Sequence, residues 1–182
     1  MLWTYLKLLF RLLFSPTEGW QLVSASKTSF EALSLRGYLP LAGITALSEF
    51  VPVWYIHDLT FLGGLGHAIA IGGGMYASLY GSRIFLEMTL SRYVNPKLNK
   101  VKTANVALYL LGLDCLYIIF SNLIPGTLTF LLFLPLLSIT VLFRSGLYMG
   151  VSEERMMNYL ILSFAGVIAV PALICWLLML II

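Results

Sequence analysis

Apolar residues run along this chain in long stretches joined by short polar segments, and five stretches are long enough to cross a bilayer as helices. The predicted spans cover residues 38–56, 59–91, 103–123, 127–146 and 153–182. Pro40 lies near the start of the first, and Pro52 is expected to kink or end it. The second, at ~1.5 Å per residue, reaches ~50 Å and outruns a ~30 Å hydrocarbon core, so its charged end must project or tilt. Asn95-Pro96 breaks it, Ile124-Pro125-Gly126 reads as a tight turn, and Pro135 falls inside the fourth span. Ser152 is a candidate cap for the fifth, with Glu153 and Glu154 placed against the positive helix end. Lipid offers an irregular backbone no hydrogen-bond partner, so the spans must be helices. The runs lack two-residue alternation, which excludes a barrel. The expected fold class is all-α, a polytopic membrane bundle of five transmembrane helices.

Residues 1–37 read differently from residues 38–182. In residues 1–14, Thr4, Lys7 and Arg11 form one polar stripe, and Leu2, Trp3, Leu6, Leu9 and Leu13 cover the rest. Such a helix is too short to span and is expected in the headgroup region. Ser15-Pro16-Thr17-Glu18 has the form of a helix start, with Ser15 capping, Pro16 first and Glu18 reaching back to the cap. Residues up to Arg36 then read as a cytoplasmic helix apposed to the membrane. No cleavable leader is expected, because Lys7 and Arg11 interrupt the first apolar run.

Composition agrees with this reading: 60% of residues are hydrophobic and 10% charged, against roughly 25% charged in ordinary soluble domains. The net charge of +3 is too small to suggest nucleic acid. Its placement carries more. Lys7, Arg11, Lys27 and Arg36 precede the first span, whereas only His57 and Asp58 precede the second. Arg92, Lys97, Lys100 and Lys102 join the second and third spans, and Arg144 and Arg155 flank the last joint. The alternation puts the N-terminus in the cytoplasm and the C-terminus outside. The tryptophans fall mostly near expected interfaces, as an aromatic belt does. Cys115 and Cys175 sit in apolar helical stretches and read as packed thiols.

In the second span Gly66, Ala70, Gly74 and Ser78, continued by Ser82, are spaced by four on one helical face, with Gly73, Ala77 and Gly81 beside them. Small residues let helix backbones approach closely in lipid. The plain reading is the central helix of the bundle; the sharper one is a homodimer face or a sliding helix. Three ionisable residues, Glu49, His67 and Asp114, are expected at a similar depth, ~10–14 Å below the outer surface, and to converge in one polar cavity. Such a group can relay protons, bind a divalent metal with Cys175 as a fourth ligand, or simply tie three helices together. The metal reading is the weakest, since no two candidate ligands are close in sequence, and no cofactor or resident metal is expected. Arg83 and Glu87 read as a local ion pair. No nucleophile motif, HExxH, phosphate loop or CxxC is present, so no catalytic residue is assigned.

Two stretches carry a resemblance: Phe14-Ser15-Pro16-Thr17-Glu18-Gly19-Trp20, and Phe143-Arg144-Ser145-Gly146-Leu147-Tyr148-Met149-Gly150-Val151-Ser152-Glu153-Glu154-Arg155. With the five-span plan they resemble the compact prokaryotic form of the Yip-domain family of Rab/Ypt-interacting membrane proteins. The eukaryotic members' long cytoplasmic N-terminal region and their Asp-Leu-Tyr-Gly-Pro motif have no counterpart in these 182 residues. The resemblance therefore implies the fold more than the GTPase binding of those relatives. The expectation is a non-enzymatic membrane organiser or scaffold, in a prokaryotic inner membrane, with the bilayer as its partner and no protein partner named. The alternative is a proton or small-solute transporter using Glu49, His67 and Asp114.

Overall fold

The computed structural model describes residues 1–26, 28–56, 60–94, 100–124 and 133–181, with backbone alone for 133–137. Lys27, His57, Asp58, Asn95-Pro96, Lys97, Pro125-Gly126, the side chain of Pro135 and the start of the expected fourth span lie outside the described residues. The described chain is all-α. Its helices are α1 (Leu2–Phe14), α2 (Pro16–Ala25), α3 (Phe30–Leu33), α4 (Leu39–Ser48), α5 (Phe61–Tyr93), α6 (Lys100–Leu123), α7 (Phe133–Met149), α8 (Glu153–Phe164) and α9 (Val170–Met179). Two π-helical turns, Ser34–Tyr38 and Ala165–Ala169, join α3 to α4 and α8 to α9 without a break.

Both π turns have the same cause. A proline in a helix has no N–H to donate, and its ring crowds the carbonyl four residues back. Pro40 and Pro171 put that crowding on Arg36 and Val167, each inside a π turn. The residue before each proline donates five residues back instead, Leu39 to Ser34 and Val170 to Ala165. The helix widens for one turn and continues.

Pro52 has the opposite outcome. The carbonyl it crowds is that of Ser48, and α4 ends at Ser48. A turn and a short 3₁₀ helix, Pro52–Trp54, follow. The first long helical stretch therefore covers residues 30–48, earlier than the expected 38–56. It carries Glu31 and Arg36. Among the described residues two helical stretches, not five, are long and apolar enough to cross a membrane: Lys100–Leu123 and Glu153–Met179. α5 has the length, but glycines, serines, His67, Arg83 and Glu87 dilute its apolar character.

The N-terminal helices are built into the bundle. The polar stripe of α1 is exposed as expected, while Tyr5, Leu9 and Leu12 on its other face are fully buried. That face is occupied by protein. Tyr5 Oη donates to the Leu108 carbonyl of α6 at 2.7 Å, and Trp20 Nε1 of α2 donates to the Val141 carbonyl of α7 at 3.0 Å. Tyr38 Oη reaches the Met75 carbonyl of α5 at 2.9 Å. Trp20 also stacks on Tyr148 and meets Tyr109 edge-on, and Tyr5 stacks on Tyr109. Ser15 sits at the cap of α2 without a side-chain cap bond, and Glu18 pairs with Arg11 at 2.7 Å instead of reaching back. The nearby guanidinium offers the carboxylate a charged partner that the cap amide cannot match.

α5 runs through the centre, packed against α4, α6, α8 and α9. Ala70, Gly74, Ser78 and Ser82 are buried and Gly66 is half-buried, so the four-residue spacing serves packing within the chain. A methyl group on Gly74 would overlap Cys175 Sγ. Gly150 closes α7 in the left-handed region (φ 74°). Its N–H donates to Leu147, and the Val151 N–H to Gly146. This paired pattern ends helices where glycine allows the turn. Ser152 then occupies the cap position of α8 without a side-chain cap bond.

The Gly74 contact yields a test. Gly74→Ala should lower stability by about 1–3 kcal/mol in chemical denaturation of the purified protein. Adding Cys175→Ala, which removes the overlapping sulfur, should restore most of the loss.

Candidate functional site

The site is built where three helix ends meet. Because Pro52 stops α4, Ser48 and Glu49 stand at its C-terminal end rather than deep inside a span. Thr60 caps α5 by accepting the Gly63 N–H at 3.1 Å, which starts the helix two turns before His67. Asn122 lies in the last turn of α6. Its Nδ2 donates to Glu49 Oε1 at 2.8 Å and to Ser48 Oγ at 3.0 Å. Ser48 Oγ in turn donates to the Thr45 carbonyl at 2.7 Å. The Tyr55 hydroxyl donates to the Asn122 carbonyl at 3.1 Å and ties down the chain after α4. His67 Nδ1 stands 3.9 Å from Glu49 Oε2, an ion pair only when the imidazole is protonated. The Glu49 side chain is 11% exposed and that of His67 49%. The carboxylate is therefore held from the protein side by Asn122, and the imidazole covers its outer edge.

Asp114 does not join them. It precedes Asn122 by eight residues on α6, ~12 Å along the helix. Among the described residues no group of three His, Cys, Asp or Glu side chains comes close enough to share a metal ion. The expected three-way convergence is thus replaced by a Glu49–His67–Asn122 cluster and a separate Asp114. The cause is Pro52, which ends α4 early and moves Glu49 toward the helix end. Asp114 instead borders an apolar cavity of about 370 Å³ between α5, α6, α7 and α9. Cys175 lines the same cavity, on the side where it packs against Gly74. Arg83 Nε donates to Glu87 Oε1 at 2.8 Å, as the four-residue spacing suggests, and the Phe30 ring lies against the guanidinium at 4.8 Å.

The residue that sequence reasoning passed over is Asn122. A signal was available: it is an amide in the last turn of a long, largely apolar helix, on the expected outer side with Glu49 and His67. Chemically the cluster can hold one carboxylate in a fixed direction.

Comparison with known proteins finds no matching family model, no matching curated sequence and no matching solved structure.

The cluster predicts an asymmetry. Glu49→Gln keeps an oxygen that accepts from Asn122, so stability should change by less than about 1 kcal/mol. Asn122→Leu leaves a nearly buried carboxylate without its donor and should cost about 1–3 kcal/mol. Thermal melts of the two purified variants against wild type make the comparison.

Proposed function

We propose that this chain is a polytopic integral membrane protein of five crossings, with a cytoplasmic N-terminus and an outer C-terminus, that organises membrane structure without catalysing a reaction. The observation that carries the membrane reading is the Glu153–Met179 stretch. A core helix of a soluble protein is mostly buried, whereas 22% of this apolar stretch is buried. Met157, Ile161, Phe164, Leu173, Trp176 and Leu177 face outward along it. The outer face of α5 is apolar over a comparable length, with Leu65, Ile69, Tyr76, Tyr80, Ile84 and Met88 exposed. Water would penalise such continuous surfaces, and lipid accepts them.

The five-crossing plan and the orientation rest on the apolar runs and on the lysine and arginine asymmetry, and a prokaryotic inner membrane suits the shortness of the polar segments between the runs. The organising role rests on the Yip-like resemblance and on the division of the polar groups. A proton or solute path calls for polar residues at several depths. Here Glu49 and His67 are engaged at one helix end, and Asp114 borders an apolar space.

Two measurements test this. In a chain with Cys115 and Cys175 replaced by alanine, Thr4→Cys and Ile181→Cys should react with an impermeant maleimide from opposite faces of the membrane; labelling from the same face would overturn the topology. Liposomes holding the purified protein should pass protons and ions no faster than protein-free liposomes. A flux that disappears in Asp114→Asn would replace the organising role with transport.

A further inference from the structure

We infer that the cavity beside Asp114 is a binding site for a small lipophilic monocation, an ammonium carried on a hydrocarbon or aromatic body. Pockets that bury small ligands measure roughly 300–1,000 Å³, with mainly apolar walls and a few polar groups that fix orientation. This cavity, at about 370 Å³, lies at the small end of that range. Its walls include Ile71 and Met75 of α5, Leu116 of α6 and Val167 of the second π turn. Asp114 supplies its charge.

Among the described residues Asp114 has no ion pair, and no lysine, arginine or histidine lines the cavity. A carboxylate in apolar surroundings is unfavourable by several kcal/mol unless a cation pairs with it. A cationic N–H donor satisfies the carboxylate, while the aliphatic walls take the ligand's apolar body. Charge selects the head and the walls select the tail. The site is a binding site whichever role the bundle performs, since the inference invokes no path through the protein.

The probe is octylammonium, with octanol as its neutral counterpart, titrated calorimetrically into purified protein in uncharged detergent micelles. Octylammonium should bind saturably at one site, and octanol should only partition. Asp114→Asn, checked by its melting temperature to be folded, should weaken octylammonium by about 100-fold or more. Ala172→Phe is the second variant. Ala172 lines the cavity and is exposed, so a larger side chain there fills the space without disturbing buried packing. It should also abolish saturable binding. Undiminished octylammonium binding in either folded variant, or octanol binding as tightly as octylammonium in wild type, would overturn the inference.

Discussion

Three aromatic side chains in the first 38 residues hold this bundle together by one repeated interaction. Tyr5, Trp20 and Tyr38 each send a polar end into a packed interior and donate it to a carbonyl in another helix. Leu108, Val141 and Met75 lie inside helices, where a carbonyl bonded within its own helix still has a second lone pair to offer. An aromatic ring thus buries its large apolar surface without stranding its polar tip. The surroundings are cut to fit. Gly112 leaves room for the Tyr5 hydroxyl, and Gly37 for its ring, so a side chain at either position would displace α1. Gly19 allows α2 to fold back closely on Leu12 of α1.

The prolines determine what these anchors can reach. Pro40 lets its helix continue by widening one turn, and Tyr38 is the last residue of that turn. Pro52 stops the same helix, leaving Glu49 at its end, where Asn122 and His67 meet it. Pro171 repeats the first device in the last helical stretch and also lines the cavity near Asp114. The Glu49–His67–Asn122 cluster thus stands at a helix end set by Pro52, apart from Asp114.

Much of this was legible in the sequence. The apolar runs marked the helices, the four-residue spacing of small residues marked α5 as a packing helix, and Thr4, Lys7 and Arg11 marked the exposed stripe of α1. Ser152 marked the α7–α8 joint, although it makes no cap bond there. What escaped were effects that cross between segments. A proline's reach four residues back moved the end of α4 and broke the expected convergence of Glu49 with Asp114. Asn122 looked like an ordinary helix-end amide until α4 and α5 were brought beside it. The buried face of α1 looked like a lipid-facing one, because leucine and tyrosine do not declare whether lipid or protein will cover them.

The anchoring of α1 and α2 also bears on how the chain is made. Their partners arrive late: Leu108 follows Tyr5 by 103 residues, and Val141 follows Trp20 by 121. At a synthesis rate of ~5–20 residues per second, these helices wait roughly 5–25 s before the surfaces they bind exist. Throughout that interval Tyr5 and Trp20 lack the α6 and α7 carbonyls to which they donate in the finished bundle. A headgroup layer is a place where an amphipathic helix with a basic stripe can rest. On the proposed membrane reading, the stripe of Lys7 and Arg11, still exposed in the finished bundle, would moor the first helices at the headgroups until α6 and α7 are made.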